Sequence, residues 1–249
     1  MPSLVKQLAW VLLYLTSVSA SAYAARDVNC VVLLHGLART HHAMSSIEST
    51  LKQHDYFVIN QDYPSTKKSI TELANQNIQP MVDACLNHHP DHIMFVTHSL
   101  GGIVLQKYLE NHTINNLTHI VMLSPPNHGS PLADVLHTNW FYQKIMGPAG
   151  QELTTQHMHH KPALTRSCHI GIIAGNFNLI PFSNYFFHGK NDGKVSVSSA
   201  RMEHMNDFIV LPVGHTFMMS NTRVKKQILH FLRLGIFQHQ QPKTLKHCI

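Results

Sequence analysis

The sequence predicts an α/β protein with a mostly parallel central sheet and helices on both faces. Three observations carry that reading. Short apolar runs rich in β-branched residues alternate with segments of helical periodicity along most of the chain. The runs are apolar at successive positions rather than at every second one, as expected of strands covered on both faces. The chemically unusual residues follow the runs, and a parallel sheet gathers its reactive groups at the C-terminal ends of its strands.

The elements follow in order. Residues 30–34 (CVVLL) read as a first buried strand that stops at His35-Gly36, and 42–53 read as a helix. Residues 56–60 form the second strand, ended by Tyr63-Pro64. A helix over 69–88 places Ile70, Leu73, Ile78, Met81, Val82 and Cys85 on one face, with Pro80 a site of kinking. Residues 92–96 (HIMFV) give the third strand, 101–110 a helix and 119–123 (HIVML) the fourth strand, stopped by Pro125-Pro126. Residues 130–166 lack strand signals, carry Pro131, Pro148 and Pro162, and read as a small cap or lid insertion. Its Trp140, Phe141, Tyr142, Ile145 and Met146 suit either a mobile lid or a helix packed on the core. Residues 169–174 and 208–211 supply the last two strands, and 221–234 a closing helix.

Composition narrows the class. The chain has 249 residues, enough for one domain with a sizeable core, and its 44% hydrophobic content excludes a disordered polar chain. Charged residues are only 13%, about half of the roughly 25% usual in soluble domains. The formal net charge is +6, but Lys and Arg are scattered; the dense stretch at 223–226 reads as a solvated helix face, and no nucleic-acid motif is present.

The N-terminus has the plan of an export signal. Lys6 precedes an apolar stretch at 8–18, and small residues lead to an Ala-x-Ala ending at Ala24, where cleavage is expected. Residues 25–249 then form the mature domain, periplasmic or secreted. Four cysteines remain, Cys30, Cys85, Cys168 and Cys248. Two disulfides are permitted in an oxidising compartment, and three connectivities are open.

The strongest motif is Phe95-Val96-Thr97-His98-Ser99-Leu100-Gly101-Gly102, between a strand and a helix. That context fits a nucleophile elbow, a turn so tight that its flanking positions must be small. Gly101 meets the requirement, and Thr97 departs from it. His215, in Val213-Gly214-His215-Thr216 after the last strand, stands where a general base belongs. Asp192, in Asn191-Asp192-Gly193 after the penultimate strand, stands where its acid partner belongs. Asp207 is a rival at the wrong end of the sheet. His98 is expected to face away from Ser99 and to be structural. Backbone N–H groups of Leu37 and Leu100 are the expected oxyanion donors.

Taken together, His35-Gly36-Leu37, Thr97 to Gly102, Asn191 to Val197 and Gly214 to Met219 resemble the α/β-hydrolase superfamily, in particular its exported bacterial lipase- and esterase-like members. Asp62-Tyr63-Pro64-Ser65, Pro126-Asn127-His128-Gly129-Ser130 and Gly147-Pro148-Ala149-Gly150 add to the likeness, which spans roughly residues 28–236. It implies an α/β-hydrolase fold and a serine hydrolase of carboxylic esters working through an acyl-enzyme on Ser99. The substrate would be a small acyl ester or a lipid, with peripheral membrane contact allowed and no cofactor needed. Thioesterase, amidase or acyltransferase chemistry would use the same groups, and a non-catalytic binding protein of this fold is a further alternative. His41-His42, His88-His89 and His157-x-His159-His160 are read as surface or packing residues rather than metal ligands, because no acid or Cys accompanies them at fitting spacing.

Overall fold

A computed structural model describes residues 28–159, 168–178, 186–187 and 189–239. The expected signal segment, residues 160–166 of the expected cap and Cys248 lie outside these. Six strands form one all-parallel sheet: β1 (Asn29–Leu34), β2 (Phe57–Asn60), β3 (His92–His98), β4 (Leu117–Leu123), β5 (His169–Gly175) and β6 (Asp207–Leu211). Their spatial order is β2-β1-β3-β4-β5-β6. The chain steps outward from β1 to β2, then crosses back to β3 and continues the other way. The carboxyl ends of β1 and β3 therefore flank the switch point, where open α/β sheets hold their ligands.

Side-chain alternation splits the core in two. Val32, Leu34, Phe95, Ile120, Met122 and Ile172 point into one layer, covered by α2 (Ile70–Leu86) and α3 (Leu100–Leu109). Val31, Leu33, Met94, Val96, Val121 and Ile173 point into the other, covered by α1 (Ser45–Lys52) and α7 (Thr222–Leu234). Strands apolar at both alternating sets follow from this double cover. Gly171 is required for the same reason: a Cβ there would lie 2.4 Å from the Phe231 ring of α7.

Local chemistry sets the helix ends. Ser69 and Glu72 form a reciprocal capping box at the start of α2, which runs on through Pro80 on its exposed side. Asn221 caps α7 through its side chain, and Gly235 ends it at φ 71°. Val224, Ile228, Phe231 and Leu232 form the buried stripe of α7, while Arg223 and Lys226 face solvent. Among the described residues no helix is long and apolar enough to cross a membrane.

The expected insertion contains α4 (Pro131–Leu136), α5 (Trp140–Gln151) and a 3₁₀ turn, His157–His159. It divides into two parts. At Gly147 the helix breaks (φ 64°), and a Cβ would lie 1.8 Å from the Thr66 carbonyl oxygen. Beyond that break Ala149, Gly150 and Leu153 are buried, and Ala149 N–H bonds the Lys68 carbonyl at 3.2 Å. Before it, Trp140, Phe141 and Ile145 are each more than half exposed. One part of the insertion is thus core and the other stands out from the surface.

α6 (Val197–Ala200) completes the elements. Cys30 on β1 and Cys85 on α2 form a disulfide across 55 residues, and among the described residues Cys168 has no disulfide partner. Closing a loop of that length removes chain entropy from the unfolded state worth about 4 kcal/mol. Replacing both with Ala is expected to lower unfolding free energy by about 2–4 kcal/mol in denaturant titration. An unchanged midpoint would show that the bond contributes nothing.

Candidate active site

The site begins with a strained turn. Ser99 follows β3 at φ 53°, ψ −121°, outside the ordinary regions for a residue with a Cβ. Packing holds it there. The Ser99 N–H donates to the Leu123 carbonyl at 2.9 Å, and α3 starts at the next residue. A Cβ at Gly101 would lie 2.6 Å from the Leu34 carbonyl oxygen and 2.8 Å from that of His35, so α3 can approach β1 only with glycine there. The expected conflict at Thr97 is resolved one residue further on: a Cβ at Gly102 would stand 3.2 Å from Thr97 Oγ1. Gly102 leaves the space that a threonine needs.

Parallel register sets Leu34 beside Thr97, so the loop after β1 runs beside the Ser99 turn. This loop is braced by groups the sequence reading left unused. The His35 ring stacks on Tyr63 at 4.1 Å. Its Nδ1 lies 2.9 Å from the Gly36 carbonyl oxygen, and its Nε2 accepts from the Tyr63 N–H at 3.3 Å. The Tyr63 hydroxyl donates to the His35 carbonyl, and the Ser65 hydroxyl accepts the Ala38 N–H at 3.2 Å. Leu37 and Leu100 flank Ser99, and among the described residues neither backbone N–H is engaged in a hydrogen bond. The geometry leaves both amides available to an incoming oxygen.

Asp192 and His215 meet across the ends of β5 and β6. The carboxylate accepts from His215 Nδ1 at 2.8 Å through Oδ2. Its other oxygen accepts the N–H groups of Lys194 (3.0 Å) and Val195 (2.8 Å), and the His215 N–H bonds the Asp192 carbonyl at 3.0 Å. His215 is therefore latched through both its ring and its backbone. Burial pushes the Asp192 carboxyl upward, but the charge and hydrogen bond of His215, the Val195 N–H and the Ser124 hydroxyl together hold it below its usual range. Asp207 lies at the other end of the sheet and binds the N–H groups of Phe208 and Phe237 and the His239 ring.

Ser99, His215, Gly36 and Leu37 line one cavity of about 380 Å³. Among the described residues Ser99 Oγ and His215 Nε2 form no hydrogen bond; such contacts tighten when substrate binds. The wall opposite is apolar and comes from the insertion: Leu132, Ala133, Leu136, Tyr142 and Met146. Of the residues after His215, Met218 and Met219 belong to the core, while Phe217 is exposed.

His98, which the sequence presents as a structural residue facing away from Ser99, lines the same cavity as Ser99. Its ring packs 4.7 Å from that of His215, and its Nε2 donates to the His215 carbonyl at 3.2 Å. It acts as a strut that holds the backbone of His215. Burial, and then the charge of His215, keep the His98 ring neutral well below the usual imidazole range; burial does the same for His35. The Pro-Asn-x-Gly-Ser element binds the floor together. Asn127 accepts from Gln106 (2.8 Å) and donates to the Ala200 carbonyl (2.9 Å), and the Ser130 hydroxyl donates to the Lys194 carbonyl (2.8 Å). Of the clustered histidines, His41 bonds Asp62 at 2.9 Å, the His88 ring lies tilted against Phe57, and His157 bonds Thr154. Among the described residues no group of three or more His, Cys, Asp or Glu is placed to hold a metal ion.

No family model matches the sequence. Bovine (Bos taurus) Protein SERAC1 is 33% identical over 79 residues, 28% of this chain; the match spans only 12% of that protein's length. Among solved structures, the mature form of the Bacillus licheniformis lipase BlEst2 superposes with a TM-score of 0.67 at 20% identity, covering 85% of this chain and 93% of that one. A thermophilic esterase from Thermogutta terrifontis gives 0.55 at 16%, covering 84% and 91%. Phospholipase PlaB from Legionella pneumophila gives 0.50 at 20%, covering 70% and 46%. The chain has the α/β-hydrolase fold.

Two outcomes follow from this packing. Gly101→Ala is expected to destroy the turn at Ser99, with loss of reactivity toward fluorophosphonate; full labelling of that variant would show that the turn does not need glycine. The unfolded chain protonates its imidazoles below about pH 6.5, whereas His35 and His98 stay neutral in the fold. Stability is thus at its fullest above that pH and declines as pH falls through 6.5 toward the lowered folded values. Asp192 acts in a separate window, below its ordinary 3.8. Denaturant midpoints from pH 7.5 to 4.5 should fall, and the slope should be shallower in His98→Gln. An identical slope in that variant would remove His98 from the account.

Proposed function

We propose that this protein is a serine hydrolase of carboxylic esters, with Ser99 as nucleophile, His215 as general base and Asp192 as the acid that orients it. The observation that carries the reading is the 2.8 Å bond between His215 and a buried Asp192, made in the cavity into which a strained turn presents Ser99. The strain has a use. A serine in the left-handed region projects from between strand and helix, where an acyl carbonyl can reach it.

The chemistry runs as follows. The Ser99 oxygen adds to the carbonyl carbon as His215 Nε2 takes its proton. The oxygen that gains negative charge lies against the Leu37 and Leu100 N–H groups, at the N-terminal end of α3, whose dipole favours that charge. Collapse of the adduct expels the alcohol, which takes the proton from His215. Water activated by the same imidazole then releases the acid from Ser99. Asp192 stays ionised throughout, fixing the tautomer that presents Nε2 as acceptor and stabilising the imidazolium. The apolar wall from α4 and α5 suits the acyl chain.

Export is part of this proposal. The sequence plan of residues 1–24 is joined by the Cys30–Cys85 disulfide, a bond that persists in oxidising compartments.

Purified protein is expected to turn over p-nitrophenyl acyl esters and to react with a fluorophosphonate at Ser99. Ser99→Ala should abolish labelling and lower kcat by at least about 10⁴-fold, and Asp192→Asn should lower it by about 10³–10⁴-fold. Absence of both turnover and labelling in the wild-type protein would overturn the reading.

A further inference from the structure

The cavity beside Ser99 carries a charge pattern that ester hydrolysis alone does not require. Arg39, on the loop after β1, and Lys194, two residues beyond Asp192, both line it. No Asp or Glu does. Among the described residues neither cation makes a salt bridge with a carboxylate, although Lys194 is half-buried. The carboxylate that bears on Lys194 is Asp192, and its oxygens are already bound to His215 and to two backbone N–H groups. Arg39 and Lys194 are also close enough to repel each other. Two like charges near one another beside a cavity, with no carboxylate bonded to either among the described residues, favour a site that holds an anion.

The backbone that carries them is fixed. The Lys194 carbonyl accepts the Ser130 hydroxyl, its N–H bonds Asp192, and Arg39 N–H bonds the Gly36 carbonyl at 3.3 Å. Each cation therefore sits at a set distance along the chain from a catalytic group: Lys194 from Asp192, Arg39 from Leu37. The wall from the insertion is mainly apolar, with Leu132, Ala133, Leu136, Met146 and Leu153, while Ser99, His98 and His215 lie on the side of the reacting groups. A ligand that satisfies every wall has an acyl chain for the insertion and an anionic head for the two cations, with its ester between them. A guanidinium fork beside an ammonium group fits the several oxygens of a phosphate best.

Building on the ester-hydrolase reading, we propose that the substrates are anionic acyl amphiphiles, with Arg39 and Lys194 binding a phosphate placed a few bonds from the scissile carbonyl. Neither residue touches the reacting atoms; both determine which ester is held.

The test has a binding arm and a turnover arm. Calorimetric titration of the Ser99→Ala protein with octyl phosphate, octyl glucoside and inorganic phosphate, all below micelle formation, measures recognition without catalysis. Octyl phosphate should bind at least about tenfold more tightly than either of the others, and the advantage should vanish in the Arg39→Gln/Lys194→Gln background and narrow in about 0.5 M salt. Equal affinity for octyl phosphate and octyl glucoside would overturn the proposal. So would inorganic phosphate binding as tightly as octyl phosphate, since the site would then be an ion site apart from the acyl wall. In the turnover arm, kcat/KM for dibutyroyl phosphatidic acid over that for 1,2-dibutyroylglycerol should be at least about ten in wild type and near one in the double variant. A wild-type ratio of one or less, with esters still hydrolysed, sinks the anion preference and leaves the hydrolase standing. Loss of all ester turnover with the binding preference intact sinks the hydrolase and leaves the anionic amphiphile as ligand.

Discussion

Parallel pairing of β1 with β3, in the register that sets Leu34 beside Thr97, is the constraint on which the site depends. It brings two chain segments some sixty residues apart to the same sheet end. Both must then turn within a few ångströms of each other. Gly101 is the residue that permits this, because any side chain there would meet the carbonyls of Leu34, at the end of β1, and His35, just beyond it. Once α3 is seated against β1, Ser99 has no relaxed conformation available, and the left-handed backbone is the consequence of packing rather than an independent feature. The Leu37 and Leu100 amides come to flank the same point by the same route.

Electrostatics in this corner rest on an economy of charge. One carboxylate, Asp192, is buried, and every hydrogen bond it accepts favours its ionised form. Buried imidazoles stand around it, and burial keeps His35 and His98 neutral, so each serves as a hydrogen-bonding plate rather than as a cation. His35 supports the β1 loop from below, through Tyr63 and the Gly36 carbonyl. His98 supports His215 from behind, through its backbone carbonyl. A lysine or arginine in place of His98 would put a second buried cation against His215. The imidazole is the side chain that offers one donor, one acceptor and no charge in a flat shape that stacks.

The sheet and the three principal side chains were legible because they depend on local rules. A run such as 30–34 or 119–123 announces a covered strand by composition. Ser99, Asp192 and His215 are each placed by the strand they follow. Strand ends were less legible: β3 continues to His98, past the residues expected, because pairing with β1 and β4 extends it and not its own propensity. The Cys30–Cys85 pairing was one of three open connectivities, and only the packing of α2 on β1 selects it. The roles of Tyr63 and His98 were illegible for a related reason. Each acts through a partner far away in sequence, His35 in one case and the His215 carbonyl in the other, and no spacing along the chain encodes those contacts. The departure at Thr97 had a readable answer in the neighbouring Gly102, but only the direction of α3 shows that the two face each other.

The insertion between β4 and β5 joins these threads. Its Gly147 allows the chain to press against Thr66, and that contact anchors residues 149–153 in the core while leaving Trp140, Phe141 and Ile145 exposed. Asp134 then ties α4 to Thr155 through its N–H and hydroxyl, at 2.7 and 2.8 Å. The apolar wall over Ser99 is therefore held at both ends, by a glycine contact on one side and a carboxylate clasp on the other. A wall fixed in this way cannot move far without breaking one of the two, so the volume of the cavity is set by packing. On the opposite side, the cationic rim is fixed by backbone hydrogen bonds from the loops that carry Leu37 and Asp192. The apolar wall and the cationic rim thus come from different elements, and the strained Ser99 turn lies between them.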